Sequence, residues 1–413
     1  MMRLKWFSPL PPARTDIANY SARVLAALAE RADVEPVEPA NAIKADPRDL
    51  NRADLCIYHI GNNPDFHGEI LSTAIRHPGV IVLHDHAIHE LCFGMAERGG
   101  GPDAYEALLH RWHGRAGLAA AQAVLRGALS IAEAARSYPL FEAALDRALA
   151  AVTHNPAVAD ELSAVFPLLP VLCLPLPYHR PAERPAPPPA KTVDEPIRLV
   201  MFGFMNANRR AMEVIEAWGA SPFRDRFTLD LAGELGDRPR VVATAERAGL
   251  ADRVTIHGFV PEGDLDALIR SADLVLNLRN PSMGEASGSQ LRIWANARAA
   301  AVTRSGWYAA LPDTCVRLIG EESEHDDLLT LLADLAQDRI DLAALGSAGF
   351  DALAAHDPAH YAAALVRWLE DVRPVMLDQW ARTALIEAAA CSHATSLPAR
   401  LIPEFPACLT PLP

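Results

Sequence analysis

RVTIHGFVPEGDLDALIRSADLVLNLRNPSMGEASGS, residues 253–289, holds two short apolar runs, RVTIHGF and ADLVLNLR, separated by the helix-length segment GDLDALIRSA. Strand, helix and strand in that order form the repeating unit of a parallel sheet. The loop PSMGEASGS follows the second strand and leads into QLRIWANARAA, which reads as a helix. A loop of small residues at the carboxyl end of a strand therefore opens a helix, and it carries one carboxylate, Glu285.

The alternation extends in both directions. IRLVMFGF, FTLDLAGE, AAVTRSG and CVRLIG add four more strand-like runs, with RRAMEVIEAWGA as a helix between the first two. Six such strands predict a doubly wound sheet. The N-terminal half repeats the theme with RLKWFS, ADLCIYHI (53–60) and GVIVLHD (79–85) as strands. IANYSARVLAALAER reads as a helix, alanine-rich helices follow over 103–150, and ALAAVTHN and LPVLCLPLP close the half. Between the halves, HRPAERPAPPPAKTVDEP is too proline-dense to continue a helix or a sheet ladder. The predicted organisation is a first Rossmann-like domain at 1–180, a Pro-rich linker at 181–196 and a second Rossmann-like domain at 197–350. Residues 351–413 are read as helices and a tail that can pack back across the junction. Two such α/β domains facing each other across a cleft direct their strand ends, where ligands of open sheets bind, into that cleft.

Composition bounds the partners. The chain has 413 residues, half of them apolar, and a formal net charge of −14, which argues against nonspecific nucleic-acid binding and leaves peripheral membrane contact open. MMRLKWFSPLPP shows no long apolar segment followed by a small-residue cleavage site, and no apolar run of transmembrane length is found elsewhere, so a cytoplasmic location is expected. The six Cys are scattered without a C-x-x-C pair, so they read as buried thiols and not as a disulfide framework or a thiolate zinc site.

In PSMGEASGS, Gly284, Gly288, Ser287 and Ser289 allow close backbone approach, and the free N–H groups at the helix start attract a phosphate. Glu285 has two readings. It is either a capping or first-turn carboxylate stabilising the helix or an acceptor for ligand hydroxyls. In LVMFGFMNANRRAMEVIEA, Gly203 follows a strand, and Arg209 and Arg210 stand where the next helix begins, a plausible anion clamp. A phosphate holder beside a hydroxyl holder suggests a sugar nucleotide. LHDHAIHE (83–90) groups His84, Asp85, His86 and His89, but matches no standard zinc spacing. A Rossmann oxidoreductase would need G-x-G-x-x-G, and MFGFMNANRR lacks it.

SPLPP followed by IANYS, then VLHDHAIH, FGFMNANRR, residues 253–289 and GWYAALPD, in that order, resemble the family 4 retaining glycosyltransferases of GT-B fold. The resemblance runs over roughly residues 3–345. It implies metal-independent transfer of a sugar, with retention, from a nucleoside diphosphate donor to a saccharide, lipid-linked or natural-product acceptor, as in polysaccharide biosynthesis. The donor is then a co-substrate and no cofactor is required. The resemblance assigns Glu285 to donor sugar hydroxyls, the amides of Ala286 to Ser289 to the sugar and diphosphate, Arg209 or Arg210 to the diphosphate, and His84 to the acceptor side of the reacting sugar. His86 and His89 then take mainly structural roles.

Three positions depart from the family pattern. Ile293 stands where a second Glu commonly contacts the ribose, Asp16 replaces a Gly near the diphosphate, and Phe204 replaces a basic residue after Gly203. Asp16 is also a suitable helix N-cap. These departures support an alternative, a noncatalytic sugar-nucleotide-binding partner of an active transferase.

Overall fold

The computed structural model describes residues 1–187 and 195–396. The middle of the proline-rich linker, most of the LIPEFPACLTPLP tail with its Cys408, and the Cys391 side chain lie outside the described set. By contact density, Met1–Val366 forms one compact unit, and the chain from Arg367 onward forms another. Both sheets belong to the first unit.

The first sheet is built from β1 (Met2–Phe7), β2 (Ala32–Val37), β3 (Leu55–Ile60), β4 (Val80–Leu83), β5 (Ala150–Thr153) and β6 (Val171–Cys173). Its order is β2-β1-β3-β4-β5-β6, all parallel. The second contains β7 (Ile197–Phe202), β8 (Phe227–Ala232), β9 (Val254–Gly258), β10 (Leu274–Asn277), β11 (Ala299–Thr303) and β12 (Arg317–Ile319). Its order is β12-β11-β10-β7-β8-β9, also parallel.

The central strands are continuous apolar runs because helices cover both faces of each sheet. LCIYHI in β3 and VIVL in β4 are buried throughout. Two cores result. One gathers Phe7, Tyr58, Ile81, Leu91 and Phe141, and the other Leu199, Trp218, Phe227, Leu229 and Leu276. Cys56, Cys92 and Cys315 are buried, Cys173 is half-buried, and all four are free thiols. β2 escapes the sequence reading because it is a mostly exposed edge strand, ADVEPV, with Pro36 inside it, a position an edge strand tolerates.

After the second sheet the chain returns to the first. The Tyr178 amide donates to the His356 carbonyl at 2.7 Å, and the Tyr20 hydroxyl donates to that of Tyr361 at 2.5 Å. No described helix is long and apolar enough to cross a membrane.

Where β7, β8 and β9 end, glycines allow the backbones to converge. Gly203, Gly233 and Gly258 have φ of +102°, +134° and +68°, and a Cβ on Gly233 would stand 2.0 Å from the Gly203 carbonyl oxygen. Both the left-handed backbone and the contact forbid a side chain there. Gly233→Ala is therefore expected to lower stability by about 2–4 kcal/mol, read as the shift in urea midpoint at unchanged slope. An unchanged midpoint would show that the strand ends are not in van der Waals contact.

Candidate functional site: the cleft at the strand ends

Each sheet has a point where successive connections diverge to opposite sides, and ligands of open α/β sheets bind outside the carboxyl ends of the strands there. In the first sheet the point lies between β1 and β3, and in the second between β7 and β10. The pocket found there is lined by Asn62 after β3, Asp85 after β4, Phe204, Asn206, Asn208 and Arg209 after β7, and Arg279, Met283 and Glu285 after β10.

Arg209 ends a short 3-10 turn, Ala207–Arg209, and is only 5% exposed. Its guanidinium donates to Asn277 Oδ1 at 2.8 Å and to the Phe202 carbonyl at 2.8 Å. It lies directly over Gly203, where a Cβ would meet Arg209 Nη2 at 2.6 Å. Among the described residues no carboxylate lies within ion-pair distance of it. A buried cation held by neutral acceptors at the wall of a pocket has the chemistry to receive an anion.

Arg210 does not join it. Its backbone is left-handed (φ +63°) and its fork is occupied by Glu324, with Nε to Oε2 at 2.9 Å and Nη2 to Oε2 at 2.6 Å, and by Glu213 at 2.8 Å. The two-arginine clamp expected from sequence reduces to Arg209, because adjacent residues on a tight turn point to opposite sides.

Glu285 is not a helix cap. The helix Gly288–Ala295 is capped by Ser287, whose hydroxyl accepts from the Gln290 amide at 3.0 Å. Glu285 lies two residues earlier and closes its own loop, accepting from Arg279 Nε at 3.1 Å, the Met283 amide at 2.8 Å and the Ser282 hydroxyl at 3.3 Å. A carboxylate has about four lone-pair sites, so acceptor capacity remains toward the pocket. Ser287 is buried, while Gly288 and Ser289, half-buried, open the helix. Asn277 links these parts, since its amide reaches Gln290 Oε1 at 3.0 Å and Ser287 Oγ at 3.4 Å while its oxygen holds Arg209.

Loops that follow strands of the first sheet grip the same loop. The His86 and Ala87 amides donate to the Met283 carbonyl at 3.0 and 3.1 Å, and the Asn155 side chain donates to the Gly284 carbonyl at 3.0 Å. Gly284 (φ +78°) fits there because a Cβ would stand 2.5 Å from His86 Cβ.

LHDHAIHE disperses its side chains. His84 Nε2 pairs with His59 Nδ1 at 2.9 Å. His86 packs on Phe141 and reaches Glu161 at 3.2 Å. His89 is buried between the Tyr138 carbonyl and the Tyr105 hydroxyl. Among the described residues no three His, Cys, Asp or Glu side chains are grouped to hold a metal ion. Asp85 alone reaches the pocket, accepting from the Asn62 amide at 2.7 Å. Desolvation, then the charge of Glu285 and smaller effects of Asp16 and Glu90, push its carboxyl up to about 7 against the pull of the Asn62 hydrogen bond.

The three departures also resolve. Thr15, not Asp16, caps the helix Asp16–Ala29, accepting from the Ala18 amide at 3.0 Å. Asp16 is exposed in the first turn, its charge felt by Asp85. Ile293 is fully buried, so that position serves the core. Phe204 is 58% exposed on the pocket wall. Sequence reading missed Asn62, Asn206, Asn208, Arg279 and Met283 as pocket residues. The available signal was position, because HIGNN and LNLRN each place polar residues directly after a buried strand.

No family model matches the sequence, and no curated protein matches it. Solved structures do match. HepE from Anabaena, crystallised in complex with UDP-glucose, is 13% identical with a TM-score of 0.60 over 90% of this chain and 100% of its own. Sucrose-phosphate synthase from Thermosynechococcus elongatus gives 13% and 0.56 over the same shares. The pneumococcal O-GlcNAc transferase GtfA, in complex with UDP and GlcNAc, gives 10% and 0.53 over 81% and 59%. The chain has the GT-B fold. At these identities the likeness carries the architecture, and the site rests on its own residues.

Asp85 provides a pH signature. Its folded value of about 7 lies above the ordinary carboxyl value of 3.8, so the folded state holds the proton more tightly, and stability falls as pH rises from about 4 to about 7 and is level above that. Asp85→Asn should therefore be more stable than wild type at pH 8 by roughly 1–2 kcal/mol, with the gain vanishing near pH 4. Urea unfolding at both pH values measures this, and an equal difference at both would place Asp85 in water.

Proposed function

We propose that the protein is a retaining glycosyltransferase, resembling family 4, that moves a sugar from a nucleoside diphosphate donor to a saccharide, lipid-linked or natural-product acceptor. The observation that carries this is the buried Arg209 guanidinium, without a carboxylate partner among the described residues, facing the same pocket as Glu285. Arg209 and the amides of Gly288 and Ser289 would hold the diphosphate, and Gly203 gives the guanidinium room. The negative charge on the diphosphate grows as the sugar departs, so a preorganised cation and helix amides stabilise the transition state more than the ground state. Glu285, its carboxylate fixed by Arg279 and the Met283 amide, would accept from donor sugar hydroxyls. His84 stands on the acceptor side, supplied by residues 1–180, while residues 197–350 supply the donor side. The leaving diphosphate oxygen takes the acceptor proton, so no metal ion or cofactor enters the reaction.

UDP and UDP-glucose in crystals of HepE make uridine donors the first to test. A noncatalytic donor-binding role is favoured by one observation, the exposed Asp16 carboxylate whose charge reaches Asp85. It would bind donor and release no sugar.

Calorimetry with UDP, GDP, ADP and their sugar conjugates tests the proposal. Wild type should bind at least one pair, Arg209→Ala should weaken both members by about 1.5–3 kcal/mol, the worth of a charged hydrogen bond, and Glu285→Ala should weaken the sugar conjugate while sparing the free nucleotide. Arg210→Ala, in protein that still folds, should leave nucleotide affinity within about twofold, since its guanidinium is taken up by Glu324 and Glu213 and shares no partner with Arg209. Binding of none of these ligands would reject the reading.

A further inference from the structure

Beneath the cleft lies a buried group of rings that the donor site does not use. His59, at the end of β3 and fully buried, sits 4.1 Å from the Trp6 ring and 5.3 Å from that of Tyr20. Its backbone carbonyl accepts from His67 Nδ1 at 2.9 Å. Its own Nδ1 lies 2.9 Å from His84 Nε2, and Tyr20 presents an edge to the His84 ring at 4.7 Å. His84 is one residue before Asp85, which lines the pocket. One imidazole thus backs another, one residue from the pocket lining.

One proton is shared across the His59–His84 contact, and its placement decides what His84 offers a ligand. Burial first, then neighbouring imidazoles, hold both rings well below the ordinary histidine value, so both are neutral near pH 7. A neutral imidazole has one N–H and one bare nitrogen. If His84 Nε2 donated, His59 would carry its proton on Nε2. That atom is buried without a hydrogen-bond partner, and orphaned buried N–H groups are rarer than orphaned acceptors. If instead His59 Nδ1 donates, the atom left without a partner is a bare nitrogen. His84 then keeps its proton on Nδ1, which has no partner among the described residues, on a residue that is half-buried.

We propose that His59 is a positioning residue, whose Nδ1–H donates to His84 Nε2 and fixes His84 as an Nδ1–H donor toward an oxygen of the substrate in the cleft. The tautomer follows from the hydrogen bond made by the opposite ring nitrogen, as outer partners orient histidines in metal sites. The functional half rests on the sugar-transfer reading, whereas the tautomer does not.

The test is long-range proton–nitrogen correlation on full-length protein labelled with 15N-histidine, with His84 assigned from the spectrum of His84→Gln. At pH 7 wild type should show His84 protonated on Nδ1 and bare on Nε2. Protonation on Nε2 overturns the proposal and needs no variant to fold. In folded His59→Leu the His84 nitrogens should move toward averaged tautomer values, and His59→Asn, whose amide retains a donor, should restore them. A His84 spectrum unchanged in His59→Leu also overturns it. With UDP-glucose and water as acceptor, His59→Leu should lower the hydrolysis kcat about tenfold at unchanged KM, with most of it recovered in His59→Asn. Wild type that hydrolyses no UDP-glucose while showing the Nδ1–H tautomer counts against the uridine-donor reading and supports the positioning half.

Discussion

A guanidinium taken out of water without a counter-charge is costly, several kcal/mol even after the surroundings relax, and among the described residues Arg209 has no carboxylate partner. Its position depends on three converging elements. The end of β7 supplies the Phe202 carbonyl and a glycine flat enough to lie beneath the side chain. β10 supplies Asn277, and the helix Gly288–Ala295 fixes Asn277 through Gln290 and Ser287. All three meet at the switch point of the second sheet. An anion at that place restores the charge balance, so the feature that costs stability in the free protein favours binding.

The position of Glu285 depends on loops from both sheets. The Met283 carbonyl, two residues earlier, accepts two amide hydrogens from the loop after β4, and the Asn155 side chain donates to the Gly284 carbonyl. Buried backbone groups must be paired, and here the pairing crosses between the sheets. The carboxylate at the pocket is held on one side by Arg279 and on the other by a loop pinned to the first sheet's strand ends. Asp85 and Glu285 then share one pocket, and desolvation of Asp85 first, with the charge of Glu285 second, is why Asp85 holds its proton near neutrality.

Much of the fold was legible because central parallel strands are continuous apolar runs. β3, β4, β7, β8 and β10 announce themselves, while the polar, proline-bearing edge strand β2 does not. The loops were legible in part. Gly203, Arg209 and Glu285 stood out by residue type after strands, but sequence could not say that Arg210 turns away to Glu324, since that depends on a left-handed residue and a partner far along the chain. Capping was misjudged by one residue at Thr15 and by two at Ser287, for acidic residues near a helix start are favoured whether or not they cap. The histidine-rich segment looked like one cluster because spacing along a chain does not reveal that its rings enter three different environments. Asn62 and Arg279 carry no signal beyond following a buried strand.

The most direct measurement is a crystal structure of the protein soaked with UDP-glucose. The Arg209 site predicts a phosphate oxygen about 2.7–3.0 Å from an Arg209 guanidinium nitrogen, with a sugar hydroxyl donating to Glu285. A diphosphate bound elsewhere in the cleft, with Arg209 still enclosed by Asn277 and the Phe202 carbonyl and no anion upon it, would contradict the assignment of the donor site.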